Sequence, residues 1–470
     1  MTIRSIIISH CCGLLLAVGL LAGCQNNPSV PPAPVVPPVT TGPTPPQYGT
    51  PFAGVSSRED AVIYQVNMRA FSAGGNFAGV TARLDSIKSL GANVVYLMPI
   101  YPVGQLRSVN SPYAVQDYRA VNPEFGSLTD LRTLVDAAHQ RGLSVLLDWV
   151  PNHTAWDHAW VTAHPDWYLR NAAGTILSPP GTNFNDVAQL DFSSAAMRLE
   201  LISAMKSWVY TANVDGFRGD YADAPTIAAT DFWKQAVDTL RRVKTHQLLL
   251  LAEGSRGSNF AAGFDYNFGF GFYGGIYRVY RNGAAATTFD ALNAGEYAGA
   301  IGTQHVVRYT TNHDVNGSDG TPVGLFGGDA GAMSAFVVAA LYRGVPMVYN
   351  GQEVGMTTPI TFPFTSVKVS WTGHPEVTRA YRQLLKARAA SAALRRGEPT
   401  AYSTANVCAF TKTDGTAQAF VLANVRNTAT TYPVPAALAG TAWTNALTGT
   451  ATTLGTTVAL PAYGYLVLRR

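Results

Sequence analysis

Cysteine is scarce in this chain: four in 470 residues, at positions 11, 12, 24 and 408. Cys11 and Cys12 fall inside an N-terminal apolar stretch and Cys24 follows it. Cys408 is then left alone, which excludes an internal disulfide framework. It sits in the apolar run Val407 to Phe410 and is expected as a small core residue rather than a nucleophile. Charge is sparse as well. Asp, Glu, Lys and Arg make up 13% of the residues, against about 25% in an average soluble domain. The net charge of +4 comes without a basic run, which excludes a nucleic-acid surface of clustered Lys and Arg. The apolar stretch Ser5 to Leu21 is too short for a comfortable membrane span, and no convincing internal repeat is present. What is abundant is apolar mass: 47% of the residues are hydrophobic, enough to bury a large core in two or three domains.

The N-terminus reads as an export signal, with Arg4 at its positive end and the apolar stretch behind it. It ends in Leu21-Ala22-Gly23-Cys24, which resembles a bacterial lipobox. The resemblance implies cleavage before Cys24 and diacylglycerol on its thiol; an ordinary signal peptide or an uncleaved anchor is the alternative. Residues 1–23 are thus expected as a lipoprotein signal peptide. Residues 24–57 are the lipidated Cys and a Pro-rich linker, which cannot bury a core and favours extended polyproline II. This places the protein in a bacterial cell envelope, held to a membrane by a lipid anchor.

From residue 58 short apolar runs alternate with amphipathic stretches, the signature of βα units and a parallel sheet. Eight runs are found: Val62–Phe71, Ala92–Ile100, Leu143–Val150, Val214–Asp220, Gln247–Gly254, Phe264–Phe270, His305–Asp314 and Val345–Gly355. Helices are expected over Ser127–Arg141, Ser194–Tyr210, Phe232–Val243 and, as a buried one, Asp329–Tyr342. The pattern predicts a (β/α)8 TIM barrel over residues 58–396, with an insertion at 151–193 after strand three that overhangs the C-terminal face. Residues 397–470 hold short Thr/Val/Ala/Tyr-rich runs between turn signals and are expected as an antiparallel β-sandwich.

Four of the apolar runs end in polar groups: Leu147-Asp148 through Asn152-His153, Arg218-Gly219-Asp220, Glu253, and Asn312-His313-Asp314. All four fall at C-terminal strand ends and therefore converge on one pocket. Asp220 and Glu253 lie about one βα unit apart, so adjacent strands would carry them. Paired carboxylates suit glycosidic cleavage, in which one attacks or stabilises the anomeric carbon and the other protonates the leaving oxygen. Arg218, two residues before Asp220 on the same strand face, would hold it ionised and aimed.

These segments resemble the four sequence regions of glycoside hydrolase family 13, the α-amylase family, over about residues 62–355. The resemblance implies a (β/α)8 barrel with a C-terminal sandwich, and an α-glucan or maltooligosaccharide substrate. It implies Asp220 as nucleophile, Glu253 as acid/base and Asp314 as the carboxylate gripping sugar hydroxyls. Arg218 would pair with the nucleophile, and His153 and His313 would bind the sugar. Tyr113, in a loop like that after the family's strand two, would stack on the sugar or else serve in packing.

Two departures stand out. The family's usual calcium site takes an Asn, an Asp and a His. Asn152 is present, but Gln189 and Ala224 stand where the others are expected, so no metal or other cofactor is expected there. Asp186 remains open to a different metal geometry. Tyr221, directly after Asp220, fits neither the α-1,4 nor the α-1,6 pattern of related glucosidases. Trp149, Trp156, Trp160, Trp167 and Tyr168 are either sugar platforms or the local core of the insertion. The expected activity is retaining hydrolysis of α-1,4-glucosidic bonds by a monomer. The alternatives are an α-1,6-glucosidase or transglycosylase of the same family, or a non-catalytic glucan-binding protein.

Overall fold

The computed structural model describes residues 44–470. The signal stretch, Cys24 and most of the Pro-rich segment lie outside the described residues. Ten strands come first: β1 Ile63–Val66, β2 Val94–Leu97, β3 Ser144–Trp149, β4 His153–Ala155, β5 Val187–Gln189, β6 Gly216–Gly219, β7 Leu249–Ala252, β8 Tyr266–Phe268, β9 His305–Arg308 and β10 Val345–Tyr349. Eight of them close into a parallel barrel in the order β1-β10-β9-β8-β7-β6-β3-β2. All eight expected runs are in it, each as a strand shorter than its apolar pattern. The barrel strands are buried almost throughout, which is why they read as unbroken apolar runs rather than alternating ones.

The helices form where their local signals place them. Leu128–Gln140 starts at a capping box: the Ser127 hydroxyl accepts from the Asp130 N–H, and the Asp130 carboxylate accepts from the Ser127 N–H. It buries Leu131, Leu134, Val135 and Ala138, one stripe at helical spacing. Helix Gly328–Leu341 is buried on nearly every side. Its Ser334 hydroxyl donates to the Asn424 carbonyl of the C-terminal sheet, which explains why it shows no polar face. Gly216 opens β6 at φ 152, and a Cβ there would meet the Leu249 carbonyl oxygen at 1.9 Å. The strand that carries Arg218 can therefore lie against β7 only with glycine at this position.

The C-terminal strands are β11 Glu398–Ala401, β12 Val407–Asp414, β13 Ala417–Asn424, β14 Thr430–Pro433, β15 Ala442–Asn445, β16 Ala451–Thr453, β17 Thr457–Leu460 and β18 Tyr465–Arg469. Six make an antiparallel sheet, β11-β12-β13-β18-β15-β16, and β14 pairs with β17. The two layers share a core in which Phe420 and Leu422 meet Tyr432 and Leu460. The run Val458–Leu468 holds two strands, β17 and β18. Pro461 offers no N–H to a ladder and Tyr463 turns at φ 54, so the chain reverses between them. Cys408 is fully buried, and burial pushes its thiol up, as suits a core residue. No helix among the described residues is long and apolar enough to cross a membrane.

Candidate active site

The site is assembled at the C-terminal ends of the barrel strands. Register sets its centre. Arg218 pairs across to Leu251 and Gly219 to Ala252, so Asp220 and Glu253 are the next neighbours beyond the last ladder rung. On the other side of β6, Arg218 lies opposite Asp148 of β3. The Arg218 side chain is fully buried and serves three carboxylates. Its Nη1 donates to Asp148 Oδ1 at 2.6 Å and to Asp220 Oδ1 at 2.8 Å, and its Nη2 lies 2.5 Å from Glu253 Oε1. Burial raises the Asp220 carboxyl well above the usual carboxylate range; Arg218 opposes this, and the charges of Glu253 and Asp148 add to it. Asp148 and Asp220 share this one guanidinium in a buried site, so the protonation of each depends on the other.

The backbone after β6 also takes part. Tyr221 adopts φ 44, a left-handed conformation unusual for an aromatic residue. That turn aims its N–H at Glu253 Oε2, 2.7 Å away. The Tyr221 that fits no linkage pattern thus positions Glu253 through its main chain.

His313 and Tyr113 form a linked pair beside the cluster. The Tyr113 hydroxyl lies 3.1 Å from Asp148 Oδ2 and 2.7 Å from His313 Nε2, while His313 Nδ1 lies 2.8 Å from Gln65 Nε2. One proton assignment satisfies all three contacts. Gln65 donates to Nδ1, the Nε2–H donates to Tyr113, and Tyr113 donates to Asp148. Burial, with Arg218 adding, lowers the His313 pKa to about 4, so the ring is neutral at physiological pH. Burial also lowers His153 to about 4. Asp314 projects into the cleft with its side chain 57% exposed, 3.3 Å from His313 Nε2. Asn312 Oδ1 accepts from both the Asp314 and Val315 N–H groups and so holds the turn that aims it.

All the expected site residues outside the N-terminus are brought together: Asp220, Glu253, Asp314, Tyr113, His153 and His313 line one cleft of about 1160 Å³, with Arg218 beneath. Three contributors were given no role from sequence: Asp148, seen only as part of a strand-end motif, and Tyr96 and Gln65, which were not singled out. Asp148 accepts from Tyr96 and Arg218, both at 2.6 Å, and Gln65 reaches His313 from β1. The signal for Asp148 was available, since an acid inside the apolar run Val145 to Val150 must find buried partners.

The insertion is more ordered than its composition implies. Strands β4 and β5 pair antiparallel, His153 opposite Gln189. The Trp and Tyr residues singled out there are local core rather than sugar platforms: Trp149, at the end of β3, is fully buried, and Trp160 packs between Tyr118 and Trp167. Around Asn152 the residues do not suit a calcium ion. The Gln189 Nε2 amide donates to the Asn152 carbonyl at 2.9 Å, the Asn152 Oδ1 at 3.2 Å and the Leu190 carbonyl at 2.9 Å. A neutral donor thus satisfies the oxygens a cation would need, and Ala224 adds no ligand. Asp186 lines the cleft instead. Melting curves with and without EDTA are expected to coincide. Gln189→Ala is expected to cost about 1–3 kcal/mol by orphaning buried acceptors. An EDTA-induced drop of several degrees, restored by calcium, would contradict this account.

Residues 48–172 match the model of the alpha amylase catalytic domain. The chain is 28% identical over 321 residues to the alpha-amylase MalA of Haloarcula japonica, covering 65% of this chain and 46% of that one. It thus spans about half the length of that relative. It is 26% identical over 440 residues to a cyclomaltodextrinase of Geobacillus thermopakistaniensis, covering 84% of this chain and 70% of the relative. Among solved structures, an alpha-amylase from Lactobacillus plantarum superposes with a TM-score of 0.78 at 26% identity, covering 88% of this chain and 99% of the other.

Proposed function

We propose that this chain is a retaining glycoside hydrolase acting on α-1,4-glucosidic bonds of starch-like glucans or maltooligosaccharides. The observation that carries the proposal is the placement of Asp220 and Glu253 as neighbours directly after β6 and β7, both held by Arg218. Neighbouring strands lie about 4.8 Å apart. A retaining pair needs about 5–5.5 Å between carboxyl groups, whereas an inverting pair needs about 6.5–9.5 Å to admit a water.

In the first step Asp220, in the carboxylate form that its contact with Arg218 favours, attacks the anomeric carbon while Glu253 gives its proton to the departing oxygen. The glycosidic C–O bond breaks and a glycosyl ester forms on Asp220. In the second step Glu253, now a carboxylate, takes a proton from water as the water oxygen attacks the same carbon and releases Asp220. Arg218 balances the charge that moves between the two. Neutral His313 and His153 act as hydrogen-bonding groups toward sugar hydroxyls, Asp314 accepts from hydroxyls in the distorted ring, and Tyr113 offers an aromatic face to its C–H side.

Two displacements restore the original configuration. Early proton NMR spectra of starch or maltooligosaccharide digests are expected to show the α-anomer before mutarotation. A β-anomer appearing first would overturn the mechanism.

We propose further that the protein is anchored in the cell envelope through lipid on Cys24. The support is sequence alone, Leu21-Ala22-Gly23-Cys24 after an apolar stretch and before a Pro-rich stalk. Detergent partitioning is expected to carry the wild type into the detergent phase and leave Cys24→Ser in the aqueous one; identical behaviour of the two would refute the anchor.

A further inference from the structure

Among the described residues six large apolar side chains are exposed, and three of them, Val109, Phe184 and Phe362, line the one cleft that holds the carboxylates. Exposed apolar groups gathered at a cleft mouth mark a binding surface. Their origin in the fold is orderly. Phe184 follows β3, Val109 follows β2 and Phe362 follows β10, and in the closed ring these strands run β3-β2-β1-β10. Asp220, Glu253 and Asp314 follow β6, β7 and β9, which lie in the other half of the ring. The three carboxylates assigned to the chemistry therefore lie in one half of the rim, and the exposed apolar side chains lie in the other, where Asp186 also lines the cleft.

A chain of aromatic contacts joins the two levels of the cleft. Tyr113 stacks on His313 with ring centroids 5.5 Å apart, His313 meets the edge of Phe364 at 6.3 Å, and Phe364 meets Phe362 at 5.7 Å. Phe362 at the outer end is 52% exposed, whereas Phe364 beneath it is 4% exposed. Phe364 is held at φ 72, a costly backbone conformation for an aromatic residue and one that clusters at ligand clamps. The cleft, about 1160 Å³, exceeds the roughly 300–1,000 Å³ of a pocket for one small molecule, so it has room beyond the sugar at the carboxylates.

We propose that Phe362, with Phe184 and Val109, forms an outer subsite that stacks on the C–H face of a glucosyl unit beyond the bond being cut, and so selects for chain length. This rests on the α-glucan reading given above. Sugar rings have polar edges and apolar faces. Carboxylates and histidines take the edges, and the exposed apolar side chains of the rim take the faces.

The test compares kcat/KM on maltoheptaose and maltotriose for the wild type, Phe362→Ala, Phe184→Ala and Phe362→Trp. The heptaose-to-triose ratio is expected to fall by about 3- to 10-fold in each Ala variant, chiefly through KM, and to be kept by Trp. An unchanged ratio, or an equal fall on both substrates, would overturn the subsite. Titration of maltoheptaose into the same variants combined with Glu253→Gln reads the subsite without turnover. Weaker binding in Phe362→Ala alongside a wild type that cleaves no α-glucan would remove the hydrolase reading and keep the subsite. Hydrolysis by the wild type with unchanged ratio and unchanged binding would remove the subsite alone.

Discussion

Glu253→Gln and Asp220→Asn are each expected to lower kcat/KM on soluble starch by several orders of magnitude while leaving the fold intact. Both changes keep side-chain shape and remove only the ability to exchange a proton or to attack. Loss of acid/base catalysis alone is worth about 10²–10⁴-fold. Losing the nucleophile removes the covalent route altogether. The two variants should differ in kind. With a substrate whose leaving group needs no proton, Glu253→Gln should recover its first step and then stall, because no base activates the water. Asp220→Asn should show no such recovery. Stability should move the other way from activity. Asp220 is buried beside Glu253 and Asp148, so the neutral Asn relieves repulsion, and the variant is expected to melt at or above the wild-type temperature. Near-normal turnover in either variant would remove that residue from its role.

Arg218→Met is expected to be both inactive and unstable, and its instability should depend on pH. The guanidinium is fully buried and is the shared cation of Asp148, Asp220 and Glu253. Removing one partner from a buried ion cluster costs about 3–5 kcal/mol. The sign with pH follows from linkage. Burial already raises the carboxyls of Asp148 and Asp220, and Arg218 is what opposes it. Without Arg218 both rise further above their unfolded values. A group whose folded pKa is raised binds more protons in the folded state, so its stability is kept at low pH and lost as pH rises through the folded value. Denaturation at pH 5 and pH 7.5 should therefore show a smaller gap between variant and wild type at the lower pH. An equal gap at both would mean that Arg218 acts through packing rather than charge.

Much of the barrel was legible because its signals are local. A strand buried on both faces is an apolar run wherever it occurs, and a Ser before Leu128 with Asp at position 130 caps a helix without help from the rest of the chain. Strands β11 and β16 were not legible, since each is short, polar and mostly exposed at a sheet edge. The insertion's hairpin was missed for a related reason: β4 and β5 are three residues each and pair across more than thirty residues of irregular chain.

The sequence by itself determined which residues end the barrel strands, because the apolar run that makes each strand also marks where Asp220, Glu253 and Asp314 must emerge. It equally shows Gln189 and Ala224 where the family resemblance implies an Asp and a His. Who meets whom was settled by the closing of the barrel. That Asp148, Asp220 and Glu253 share one guanidinium depends on the register of β3, β6 and β7. That the Gln189 amide faces three oxygens depends on β5 folding back on β4. That Phe184 and Phe362 stay exposed while Trp149 is buried depends on which loops the closed ring carries over its mouth. Hydrophobic pattern is a property of neighbours along the chain, whereas a site is a property of neighbours in space, and the closure of eight strands is what turns the first into the second.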